Sequence, residues 1–361
     1  MLFELGGEVE IHDVREVVPE IQSFTDYDQN QPYPIFRYPI LRRFSSLCIG
    51  YHLLKQIIKK KPEILFLGHV SATRGLPVLL FSLFFRIPYV VLCHAGHLPI
   101  SSVSKINKIS TYTLLRNANL LLANSKYTLQ LLIGRGFSDT KIRVLTPGVD
   151  TDYFAPISDE NKVKILRSKY GANEMPLILN IGRLVPKKNQ VRIVKAIANL
   201  REQGIFTKCI IAGNGPEQDN LQKHIEVLGI GDRVSLIGYA GREKVRELFQ
   251  IVDIVVLPSI IDNDDHESFG IVAIEAAACG KPVIVGSLGG QPETVIHGET
   301  GFVINGDDVH AIEDAVQTLI EDKDLTKRFR EAGRRHAVAE FSWEKIATRA
   351  EQMLESLVPT Y

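Results

Sequence analysis

The chain has little of what staples, anchors or polarises a protein. Its four cysteines, Cys48, Cys93, Cys209 and Cys279, stand far apart with no C-x-x-C pair. That argues against a disulfide framework or a zinc site and fits reduced core thiols in a cytosol. The longest apolar run, Leu76 to Phe85, contains Pro77 and lies between Arg74 and Arg86. It is about half a membrane span. Met1 is followed by LFELGGEVE, without a basic start, so no secretory signal is expected. Net charge is also missing, with 42 basic residues against 42 acidic ones. No internal repeat or low-complexity tract is present.

What is there is unevenly distributed. Between Gln31 and Ser138 stand fourteen Lys and Arg against one acid, Glu63. Such a split suggests an anionic partner (lipid headgroups, a phosphorylated acceptor or nucleic acid), or a solvated basic surface. No nucleic-acid-binding motif accompanies the charge, so no nucleic-acid partner is expected. The expected location is the cytoplasm, with peripheral contact to an anionic membrane at the inner face of the plasma membrane.

At 361 residues and 45% apolar, the chain has room for about two domains. Short apolar runs alternate with helical stretches throughout. EVEIHDV, ILFLGHV, YVVLCH, LLLANS and IRVLTPG read as strands of one parallel, helix-covered sheet. The segment ISDENKVKILRSKYGANEM (157–175) is polar and reads as a linker. LILNIG, CIIAG, VSLIG, IVVLPS, PVIVG and GFVI then predict a second doubly wound domain of six strands and five helices. The expectation is an α/β chain with domains over 1–155 and 156–342 and a last amphipathic helix over 343–361. Ligands of such sheets bind at the carboxyl ends of strands, which places two facing domains across a cleft.

Two stretches carry chemistry. In ESFGIVAIEAAACGKPVI, Glu267 precedes a turn at Ser268-Phe269-Gly270, and an Ala-rich helix follows carrying Glu275. The helical neighbours of Glu275 are Ile271, Val272, Ala278 and Cys279, so its partner must come from outside the helix. The amides of Phe269, Gly270 and Ile271 open that helix, and Gly270 permits close approach of a ligand. In GRLVPKKN, Gly182-Arg183 follows a strand and Lys188 stands close behind; Asn189 is expected to cap the next helix. Cations suit a diphosphate, and acids suit vicinal hydroxyls. Together they describe a nucleotide sugar.

The pattern resembles the retaining glycosyltransferases of family 4, which have the GT-B fold of two Rossmann-like domains. GRLVPKKN resembles the family's Arg and Lys segment, and Glu267 with Glu275 its E-x7-E signature. AGNGPE (212–217), GSLGGQPETVIHGETGFVI (286–304), ANSKYT and TPGVDTDYFAP are similar to further segments in the same order. The resemblance implies a hexosyl- or N-acetylhexosaminyltransferase using a nucleotide-diphosphate sugar and a glycan or lipid-linked acceptor. It implies that Arg183 and Lys188 neutralise the leaving diphosphate without a metal or other cofactor. Glu267 would hold the sugar and Glu275 the ribose, with Gly182, Asn214, Gly215, Tyr239, Ser268, Phe269, Gly270 and Ile271 around the donor. His94 would face the reacting sugar, with His69 and His97 on the acceptor side, and the terminal helix would return to the first domain.

Other readings stay open. Asp262-Asn263-Asp264 forms a DxD, a pattern that can bind a divalent cation or simply be a solvated loop. The resemblance also implies a first strand, Gly-rich loop and helix ahead of GGEVEIH, about thirty residues in a doubly wound sheet. A chain without them could be a non-catalytic nucleotide-sugar-binding remnant, and a sugar-nucleotide epimerase shares the architecture.

Overall fold

The computed structural model describes residues 11–16, 35–40, 45–68, 70, 72–95, 105–157, 159–263 and 265–357. They fall into two compact units, Met1–Leu145 with Ile346–Tyr361, and Thr146–Lys345. The division therefore falls at 145/146, ahead of the polar stretch read as a linker. That stretch carries helix Glu160–Lys169, and its Arg167 reaches Asp253 Oδ2 at 3.0 Å, Ile251 O at 2.6 Å and Met175 O at 2.6 Å. One guanidinium with several acceptors turns a polar segment into an anchored one.

In the first unit, β1 (Ile11–Glu16) and β2 (Ile35–Ile40) form a parallel pair of their own. β3 (Leu65–Leu67), β4 (Tyr89–Cys93), β5 (Leu120–Ala123) and β6 (Ile142–Val144) form a separate parallel sheet in that order. The single sheet expected here is thus two sheets, because among the described residues no strand joins the outer edge of β3 to β1 or β2. β4 and β5 are buried along their whole length, as a helix-covered parallel sheet requires.

The second unit carries β7 (Leu177–Ile181), β8 (Lys208–Ala212), β9 (Val234–Leu236), β10 (Ile254–Leu257), β11 (Val283–Gly286) and β12 (Gly301–Ile304). All are parallel in the order β12-β11-β10-β7-β8-β9, so strand order reverses between β7 and β10. Successive side chains feed opposite faces. Leu177, Leu179 and Ile181 join one core with Phe249, Ala273 and Ala277. Ile178 joins the other with Ile193, Leu221 and Ile312. Each such buried leucine or isoleucine contributes about 1.5–3 kcal/mol by leaving water. Four helices connect these strands, Gln190–Glu202, Gln218–Val227, Arg242–Ile251 and Ile271–Ala278. The fifth expected helix is the 3-10 turn Gln291–Thr294, its short span consistent with the proline at its start. Near the end of the unit, Trp343 packs on Gly148, where a Cβ would meet the indole at 2.7 Å.

Two glycines close the loops after β7 and β8. Gly213 has φ 151° and a Cβ there would lie 1.8 Å from Gly182 O, while one on Gly215 would lie 2.2 Å from Leu184 O. Gly213→Ala is expected to destabilise the chain by about 1–3 kcal/mol through overpacking. Urea denaturation checks this, with Gly134→Ala, a helical site with open space, expected not to destabilise.

Candidate functional site

The reversal of strand order between β7 and β10 leaves a crevice at their carboxyl ends, the usual ligand position in such sheets. The chain after β7 is pinned there by backbone bonds: Gly182 N–H to Ala212 O at 3.0 Å and Leu184 N–H to Asn214 O at 3.0 Å. Buried Gln190 donates to Arg183 O at 3.1 Å and holds the arginine backbone. The Arg183 side chain is exposed and has no acceptor among the described residues.

Lys188 ends the 3-10 turn Pro186–Lys188 and pairs with Glu267 Oε2, with 17% and 19% of the two side chains exposed. Residues 79 apart in sequence thus meet at the switch point. Both backbones are supported. A Cβ on Gly182 would sit 3.4 Å from Lys188 Cε, an ordinary contact, so the lysine stem packs directly beside this glycine. Glu267 O accepts from Gly290 N–H at 2.8 Å, and Gly289, at φ 76°, has no room for a Cβ against Glu267 O. The Gly-Gly segment is therefore a bracket for Glu267.

Asn189 is not the expected helix cap. It adopts the left-handed conformation (φ 54°, ψ 35°) without a side-chain cap, and its Nδ2 donates to Gly306 O at 2.8 Å. A side-chain cap accepts helix N–H groups from an extended backbone, and the left-handed backbone of Asn189 does not offer that geometry.

The helix after Glu267 begins at Gly270 (φ 103°), behind buried Phe269, whose ring meets Phe341 edge to face at 5.7 Å. Gly270 leaves room for Gln291, 3.1 Å from where a Cβ would stand. Ser268 is half-buried and Ile271 exposed. Glu275 sits one helical face on, and burial pushes its carboxyl up to about 7, partly opposed by the Arg242 charge. No hydrogen bond to this carboxylate is formed among the described residues. Asn214 and Tyr239 are exposed at the ends of β8 and β9, Tyr239 at 78%, while Gly215 is packed against Leu184 O.

In the first unit, His94 directly follows β4, its Nδ1 3.0 Å from Asn124 Nδ2. His69 and His97 lie outside the described residues, as does Asp264 of the DxD. Asp262 and Asp265 exchange backbone bonds at 2.9 and 2.7 Å, and Asp265 is held by Lys187 at 2.7 Å. Among the described residues no three His, Cys, Asp or Glu side chains converge as metal ligands.

Four contributors were not assigned to the site from the sequence, although Asn124-Ser125 stands out there as a polar strand end. Lys187 ties down the acidic loop, and Gln291 fills the space at Gly270. Arg242 stacks on Tyr153 at 4.5 Å and reaches Asp150 Oδ2 at 3.4 Å. Asn124 stands beside His94. DTDYF and ANSKYT carried the only signals for the last two.

Two family models match in tandem: Glycosyltransferase Family 4 over residues 5–153 and Glycosyl transferases group 1 over residues 162–336. A GDP-mannose-dependent alpha-(1-6)-phosphatidylinositol monomannoside mannosyltransferase of Mycolicibacterium smegmatis is 28% identical over 97% of this chain and 92% of its own. A Mycobacterium tuberculosis protein of the same description is 34% identical over 59% of this chain, which spans only 55% of that relative. The crystal structure of Anabaena HepE with UDP superposes with a TM-score of 0.79 at 23% identity, covering 92% of this chain and 89% of that one. The fold is GT-B, two parallel-sheet α/β domains. The chain belongs to the family 4 glycosyltransferases, and it is a nucleotide-sugar glycosyltransferase.

The Glu275 carboxyl keeps its proton in the folded chain up to about pH 7, whereas the unfolded chain releases it near 4.5. Its contribution to stability is fully present below pH 4.5 and is lost as pH rises towards 7. Glu275→Gln is therefore expected to melt higher than the wild type at pH 8, and this advantage disappears near pH 4.5 in a thermal scan.

Proposed function

We propose that this chain transfers a hexose or N-acetylhexosamine from a nucleotide-diphosphate sugar to a glycan or lipid-linked acceptor, with retention at the anomeric carbon. The observation that carries the reading is Arg183, exposed and without an acceptor among the described residues, in the same loop as the Lys188 that pairs with Glu267 at the switch point of a parallel sheet. Negative charge on the leaving diphosphate grows as the glycosidic bond breaks. Arg183 offers a guanidinium with no competing partner among the described residues, and Lys188 offers a second cation once the diphosphate outbids Glu267. Glu267, freed of its lysine, accepts from sugar hydroxyls. Glu275, a half-buried carboxyl lacking hydrogen bonds among the described residues, accepts from the ribose hydroxyls. The names of the mycobacterial relatives make GDP-mannose the first donor to test and a phosphoinositol glycolipid the first acceptor. No metal enters this scheme, because the two cations carry the charge.

Turnover is read as nucleoside diphosphate released with and without acceptor. Arg183→Ala and Lys188→Ala are each expected to lower it at least about 10²-fold, the effect of losing one transition-state donor. Near-normal turnover in either variant removes that residue from the mechanism. A thermal-shift series with GDP, UDP and ADP identifies the base, since stabilisation follows affinity. Donor binding without turnover points to a binding remnant, and altered donor without release to an epimerase.

The acceptor side of the proposal includes a membrane surface. Leu76, Leu80, Leu83 and Phe84 form an exposed stripe at helical spacing on Ala72–Phe85, and Tyr51 and Ile58 are exposed on Ser45–Lys60. Lys55, Lys59, Lys60, Lys61 and Arg86 are exposed in the same elements or just after them. No helix among the described residues is long and apolar enough to cross a membrane, so contact would be interfacial. Binding to vesicles is expected to rise with anionic lipid content and to fall with salt. Co-sedimentation independent of both counts against it.

A further inference from the structure

Asn124 lies between a buried hydroxyl and an imidazole, with Oδ1 at Thr128 and Nδ2 at His94. It and His94 directly follow the adjacent parallel strands β5 and β4, and Asn124 N–H donates to Cys93 O at 3.1 Å. The Thr128 hydroxyl donates to Asn124 Oδ1 at 2.7 Å. The Ser125 hydroxyl donates in turn to Thr128 Oγ1 at 3.0 Å, while Ser125 Oγ accepts from Thr128 N–H at 3.0 Å and caps helix Lys126–Gly134. With Oδ1 engaged, Nδ2 stands 3.0 Å from His94 Nδ1. Asn124, Ser125 and Thr128 are 3%, 0% and 0% exposed, so these bonds are made within the protein.

An amide N–H can only donate, so His94 Nδ1 must accept with its lone pair, and the ring proton resides on Nε2. We infer that Asn124, oriented by Thr128 and Ser125, is a positioning residue that fixes His94 as the neutral Nε2–H tautomer. In that state neither ring nitrogen has a free lone pair. In this tautomer Nε2 can only donate a hydrogen bond, so the His94 ring cannot serve as a general base. Only its bearing on turnover rests on the transferase reading; the tautomer does not depend on it.

Long-range 1H–15N spectra of the full chain, with His94 assigned by its absence in His94→Gln, read the tautomer directly. The wild type is expected to show Nε2–H at pH 7. In Asn124→Asp the new carboxylate accepts from Nδ1, so the proton is expected to move there. In Thr128→Val the amide loses its orienting donor, and the two tautomers are expected to mix. A wild-type ring protonated on Nδ1, or on both nitrogens, overturns the inference. So does an unchanged spectrum in both variants, once melting curves show them folded. For turnover, Asn124→Asp is expected to lower kcat about tenfold or more with the donor KM unchanged, as a wrong tautomer does elsewhere. A moved proton with unchanged kcat removes the positioning role. If the transferase reading itself fails, the wild type shows no turnover and the spectra still decide the tautomer.

Discussion

The pairing of Lys188 with Glu267 joins the ends of the two central strands of the second unit, and much of the surrounding backbone is arranged so that the two charges can meet. Each side chain is more than four-fifths withdrawn from water. A largely buried ion pair of this kind is weak as a source of stability, yet removing one partner strands the other charge. Gly289 stands where a Cβ would meet the Glu267 carbonyl, and Gly290 N–H donates to that same carbonyl. The bond from Ile260 N–H to Lys187 O at 2.8 Å keeps the loop after β10 beside the turn that carries the lysine. The pair is thus the point at which three loops are held in common register.

The two units use the same α/β construction for different ends. In the second, alternate residues of each strand supply two separate cores, so the sheet is rigid where charged loops leave it. In the first, polar order is concentrated in one buried cluster at the ends of β4 and β5, where Ser125, Thr128 and Asn124 satisfy one another. Buried polar groups are costly unless paired, so such a cluster either orients something or would be replaced by apolar packing.

Much of this was legible in the sequence because periodicity and glycine placement are local. The six strand runs of the second unit, the turn at Ser268-Phe269-Gly270 and the Gly-Gly segment all announce themselves by spacing. What was not legible depends on partners distant along the chain. Asn189 looked like a cap until Gly306 O, 117 residues away, claimed its amide. The polar run 157–175 looked like a linker because the acceptors of Arg167 lie largely near residues 251–253. The direct contact of Lys188 with Glu267 was invisible for the same reason, although each residue was singled out alone.

The packing of Trp343 on Gly148 has a practical corollary. The sequence contains a single tryptophan, and it stands just before the chain passes from the second unit to the residues that group with the first. Its indole rests on a glycine in the segment that opens the second unit. The protein therefore carries one indole in this contact, and its selectively excited emission reports on the packing of residues 148 and 343 without any label.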